Sequence, residues 1–148
     1  SEFATRTWAN KYTSTTSVQF VSTDEPSPIL KHKDEYDYFE LDTAEGVRKT
    51  VIFHEDDDGV PNFRMRRYVF EPGAEVPKHT NGVEHEGHIL EGPVVVGLED
   101  EEYEVETGDS MFIPPGTVHW FRNETDHEVG FLCMVPIGDA EIKLIDDE

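Results

Sequence analysis

The sequence predicts an all-β domain, a barrel or double-sheet jelly roll. Three observations lead there. From Ile29 onward the chain breaks into short runs rich in β-branched and aromatic residues; no stretch keeps an apolar period of 3.6 long enough for a helix; and Gly, Pro, Asn and Asp clusters separate about eight to ten such runs.

Taken in order, residues 1–28 read as an N-terminal extension and 29–148 as one domain. Ser1-Glu-Phe3 resembles a cloning scar, and the Ser- and Thr-rich segment after it suits a disordered stretch or an arm laid on a partner subunit. Within it, Thr16–Val21 has the composition of a strand. Val47–His54 reads as a strand closed by the acidic turn Glu55–Gly59, and Asn62–Phe70 as the next strand, ending at Pro72-Gly73. Glu84–Leu98 reads as two strands meeting at Gly92-Pro93. Tyr103–Val105, Met111–Ile113, Val118–Arg122 and Glu128–Val135 complete the series.

Composition narrows the partners. Thirty-three acidic residues against twelve basic ones give a formal charge of −21, which repels nucleic acid and anionic membranes alike. No apolar run approaches the roughly 18 residues of a membrane helix, so the expectation is a soluble, cytoplasmic protein. So acidic a surface also suits a salt-rich cytoplasm, and halophily is a further expectation. The lone cysteine, Cys133, cannot form an internal disulfide. It alternates with Phe131 and Val135 onto one strand face, as a small buried hydrophobe does.

The chemistry concentrates in two stretches. His79 and His85 follow the Pro72-Gly73 turn six residues apart, and His119 follows Pro114-Pro115-Gly116. Imidazoles brought by adjacent strands into one barrel are what a divalent-metal site with open positions requires. Even spacing puts His79, Asn81 and His85 on one face, with Gly87 and Ile89 beyond them, whereas His88 falls on the opposite face. Gly87 reads as leaving room beside the metal. Arg66 shares a face with Arg64, Tyr68 and Phe70. An Arg there suits either a bound carboxylate or a surface ion pair. Of the adjacent Trp120 and Phe121, one is expected inside and one outside. His32, His54 and His127 read as surface residues.

Gly108-x5-Pro114-x-Gly116-x2-His119-x3-Asn123 resembles the second signature motif of the cupin superfamily, and Gly73, His79 and Gly92 resemble parts of the first. Asn81 stands where that family usually has its second His, and His85 where it usually has Glu. A His at the latter position is a feature of small single-domain manganese-binding cupins with a four-histidine site, which this chain resembles over about three quarters of its length, Ile29 to Gly138. The resemblance implies a jelly roll, commonly a dimer, with His79, His85 and His119 as metal ligands and Asn81 as a weak or water-mediated fourth. Manganese is expected first, then iron, with Zn, Ni, Co or Cu as alternatives. Arg66 and Cys133 are implied at the cavity wall near the chemistry, with Phe131, Val135 and Ile89 shaping the substrate pocket. The implied activity is oxidation of a small organic molecule with oxygen or peroxide; neutral imidazole ligands would leave the metal's charge uncompensated, which favours an anionic substrate. Two other classes suit the same residues: a non-redox isomerase or lyase, which lacks an acidic general base in the motif, and a non-catalytic ligand- or metal-binding module.

Overall fold

The computed structural model describes residues 26–138 and 141–145, so the N-terminal arm and the Thr16–Val21 strand lie outside the described residues. Eleven strands form two antiparallel sheets among them. In chain order these are β1 (Phe39–Leu41), β2 (Ala44–Phe53), β3 (Phe63–Phe70), β4 (Glu75–Asn81), β5 (His85–Glu91) and β6 (Val94–Leu98). They continue with β7 (Glu101–Val105), β8 (Ser110–Ile113), β9 (His119–Arg122), β10 (Val129–Pro136) and β11 (Ile142–Leu144). One sheet runs β1-β2-β3-β10-β5-β8 and the other β11-β4-β9-β6-β7. After β3 the chain crosses between the sheets at every step except the β6–β7 hairpin, so β4 and β5 lie in opposite sheets. This is the double-sheet jelly roll that the strand spacing predicts.

Two strands were not legible in the sequence. β1 and β11 are three-residue edge strands, too short for alternation to register. The acidic turn after β2 is a single helical turn, α1 (Glu55–Asp58). The His54 ring caps it by accepting from the Asp56 amide, and Gly59 ends it in the left-handed conformation at φ 73°. Local side-chain capping outcompetes an extended backbone here, because four successive acids have no apolar alternation to bury. His32 similarly accepts from the Asp34 amide at a 3-10 turn. His54 is half-buried, and His32 and His127 are exposed.

Alternation fills the space between the sheets with Val47, Phe70, Ile89, Val94, Val96, Val129 and Phe131, none more than 1 % exposed. Phe131 sits at the centre, its ring 4.9 Å from Phe121, 5.3 Å from Tyr68 and 5.7 Å from Phe70. Phe121 is the inward member of its pair. Trp120 lies on the outer face, stacked where Gly97 has no side chain: a Cβ there would fall 1.9 Å from the indole. Its Nε1 donates to Glu102 at 2.7 Å, and Lys78 lies over the ring.

Asn123 closes the turn before β10. Fully buried, it donates to the Phe70 and His127 carbonyls and accepts from the Thr125 amide and hydroxyl. Every polar atom of its side chain is thus matched.

Candidate metal centre and its cavity

The two sheets separate at one end around a cavity of about 160 Å³. The second sheet brings His79 from β4 directly opposite His119 on β9, and the β11 register lays Leu144 beside His79 and Ile142 beside Asn81. The first sheet brings His85 at the start of β5. A register shift between Val76 and His79 aims the β4 histidine inward. All three rings and Asn81 line the cavity and are buried. The rings of His79 and His119 are 4.1 Å apart, and those of His85 and His119 5.8 Å.

Backbone carbonyls orient two of the imidazoles. His79 Nδ1 lies 2.8 Å from the Pro77 carbonyl and His119 Nδ1 2.8 Å from the Thr117 carbonyl, the same i−2 arrangement in each. A carbonyl can only accept, so Nδ1 carries the proton and Nε2 keeps its lone pair. Burial holds all three rings neutral: His85 is pushed down to about 3, with Arg66 adding to the effect, His119 to about 4, and His79 is also lowered. No Asp or Glu lines the cavity among the described residues.

The donor set therefore fits a divalent transition metal chemically: neutral imidazoles with free lone pairs, and an amide oxygen within reach. The spacing is looser than a closed coordination sphere. Among the described residues, no three His, Cys, Asp or Glu side chains are grouped tightly enough to hold an ion as they stand. Asn81 explains why. Its Nδ2 lies 3.4 Å from His119 Nε2 and 3.4 Å from both ring nitrogens of His85, so the amide wedges between those rings. Turning the amide about its last bond would present its oxygen to the same point.

The first sheet supplies the rest of the wall. Arg66 on β3 stands opposite Cys133 on β10, which stands opposite Gly87 on β5, and Lys49 on β2 stands opposite Tyr68 on β3. Arg66 donates to the Tyr68 hydroxyl at 3.0 Å and approaches Cys133 Sγ at 3.0 Å. Burial pushes both the Tyr68 phenol and the Cys133 thiol up, so each stays neutral beside the guanidinium. Lys49 lies over the Tyr68 ring at 5.6 Å, and burial, with Arg66 and Arg64 adding, pushes its ammonium down to about 8. Arg64 points to the surface and forms a two-armed pair with Glu55.

Of the residues expected at the pocket, Arg66, Phe131 and Cys133 line the cavity. Ile89 and Val135 do not; both belong to the hydrophobic core, where Ile89 stands opposite Phe131 on the neighbouring strand and Val135 opposite Arg64. Gly87 does not leave room for a metal either. Its missing side chain is replaced by Met111, whose Cε lies 2.5 Å from where a Cβ would stand. His88 is on the outer face, as its parity predicts, bonded to Ser110 Oγ at 2.9 Å. Lys49 and Tyr68 were missed. The signal for Lys49 was present, since it shares a face with Val47 and Val51.

Residues 66–135 match the family model described as "Cupin domain". An uncharacterized protein of Methanocaldococcus jannaschii is 39% identical over 46 residues, 31% of this chain; the match spans 37% of that relative's length. Among solved structures, the polyketide cyclase RemF from Streptomyces resistomycificus aligns with a TM-score of 0.72 at 21% identity, over 82% of this chain and 88% of its own. A sugar phosphate isomerase of the cupin superfamily from Silicibacter pomeroyi aligns with a TM-score of 0.68 at 21% identity, over 80% and 82%. No helix among the described residues is long and apolar enough to cross a membrane. The two-sheet topology is the jelly roll on which that match falls: residues 66–135 are similar to a cupin domain, and the fold neighbours share the architecture.

Proposed function

We propose that this chain is a divalent-metal enzyme that moves a proton at the carbon beside a carbonyl group, an isomerase or lyase rather than an oxidase. The observation that carries this reading is Lys49: a lysine on the wall of the cavity that holds the imidazoles, with its pKa pushed down to about 8 by burial. A proton carrier works best with a pKa near the working pH. The non-redox class lacked such a group in the sequence motifs, and Lys49 supplies it. The names of two fold neighbours, a cyclase and an isomerase, are in keeping with this class.

His79, His85 and His119 would hold the ion, with Asn81 contributing its amide oxygen; manganese is the first choice, then iron. When bound, the ion supplies positive charge that stabilises a developing oxyanion on the substrate carbonyl. Lys49 in its amine form takes the proton: its lone pair forms the new N–H bond while the C–H pair moves into the enolate. The resulting ammonium returns that proton to a neighbouring carbon in an isomerisation, or to a departing group in elimination. No electrons leave the substrate. Phe121 and Phe131 keep the wall apolar, which strengthens each charge interaction in the cavity.

The test is C–H exchange in D2O for a panel of small ketones and oxo acids, followed by NMR after the metal is chelated. Lys49→Met is expected to slow exchange by about 10²-fold or more. Exchange unchanged in that variant overturns the proposal, and oxygen uptake by the Mn or Fe form during turnover restores the oxidative reading. The metal assignment has its own check. Asn81→His replaces the wedged amide with a fourth imidazole and is expected to tighten Mn binding by about tenfold or more, read by calorimetry.

A further inference from the structure

Proton transfer at Lys49 leaves Arg66 without a task, yet among the described residues only Arg66 and Arg67 bury a side-chain nitrogen without a partner, and of the two only Arg66 lines the cavity. The chain carries a formal charge of −21, and Arg48, Arg64 and Arg122 all have carboxylate partners at the surface. Arg66 has none among the described residues. Its hydrogen bonds go to neutral groups, the Tyr68 hydroxyl and the Cys133 thiol. Its Nε is buried without an acceptor. A guanidinium has five N–H donors, so three remain for something else. A second cation, Lys49, shares the same wall, and no acid lines the cavity. Burying two like charges together without a counter-ion is costly, and the cost is relieved when an anion enters.

We infer that Arg66 is the anchor for a carboxylate of the substrate, so that the cavity takes small oxo-carboxylate monoanions in preference to neutral carbonyl compounds. The planar fork of the guanidinium suits a two-oxygen acceptor. Volume limits the size: the cavity of about 160 Å³ is close to the roughly 150 Å³ that accommodates benzene, so a ligand of about six non-hydrogen atoms fills it. The acidic surface makes the point sharper, because the overall field repels such an anion and only the local cations can draw it in. The carbonyl half of this ligand rests on the proton-transfer reading; the carboxylate half rests on Arg66 alone.

The probes are pyruvate and its neutral methyl ester, titrated into the 15N-labelled full chain both as purified and after chelation. The Arg66 Nε–Hε resonance, assigned by its loss in Arg66→Lys, is expected to move downfield with pyruvate and to stay in place with the ester. Arg66→Met is expected to weaken pyruvate binding by about tenfold or more, as loss of a charge-assisted pair does. The wild-type resonance decides the matter even if the Met variant does not fold. An unmoved resonance at saturating pyruvate, equal affinity for the ester, or no pyruvate binding overturns the anchor. Those results with Lys49-dependent exchange intact remove the anchor alone. Pyruvate held through Arg66 with no Lys49-dependent exchange removes the proton-transfer reading alone.

Discussion

The barrel interior has two halves that obey opposite rules. Around Phe131 everything is matched: Val47, Phe70, Ile89, Val94, Val96, Val129 and Phe131 are within 1 % of full burial, and the fully buried amide of Asn123 finds a partner for every polar atom. Around Arg66 little is matched. Three imidazoles are held neutral, Lys49 is pushed down to about 8, and a guanidinium nitrogen has no acceptor. One half is arranged for stability, and the other forgoes stability to hold groups ready for a ligand.

Substitutions should therefore change stability in opposite directions in the two halves. The largest effect is expected from Phe131→Ala, which removes the ring touching Phe70, Phe121 and Tyr68. Denaturant unfolding should show a loss of about 3–5 kcal/mol. The same variant opens the cavity toward Ile89. In the other half, Lys49→Met keeps the aliphatic stem and discards the charge, and unfolding at pH 7 should show a gain of about 1–3 kcal/mol. Its pH dependence follows from the shift. The folded pKa, about 8, lies below the usual lysine value, so the unfolded chain binds more protons between them. The wild-type penalty is complete below about pH 8 and fades as pH rises toward that usual value, so the advantage of the Met variant should vanish there. A gain that persists in strongly alkaline solution would break the comparison. The smallest effect belongs to neither half: His88→Ala, on the outer face, should leave stability within about 0.5 kcal/mol and metal binding unchanged.

Much of this arrangement was legible in the sequence, and for identifiable reasons. His79 and His119 sit behind Pro-Gly turns that fix where a strand begins, so their arrival at one place follows from local geometry. His88 is outward because it is an odd number of residues from His85. The readings that failed depended on neighbours from other strands. Gly87 faces the interior as parity demands, but whether its space is free is decided by Met111 on β8. Ile89 shares the face of His85, yet it is packed in the core opposite Phe131, and Phe131 rather than Ile89 lines the cavity. Lys49 was readable as inward-facing from Val47 and Val51. The lowered pKa that suggests its proposed role was not, because it comes from burial and then from Arg66 and Arg64 on β3.

By itself the sequence determined the strand alternation, the turns and hence the jelly roll, because side-chain direction in an extended chain repeats every two residues whatever lies opposite. Only the tertiary structure decided which inward charges go unpaired. Compensation of a buried cation depends on what the facing strands bring within a few ångströms, and those strands are distant along the chain.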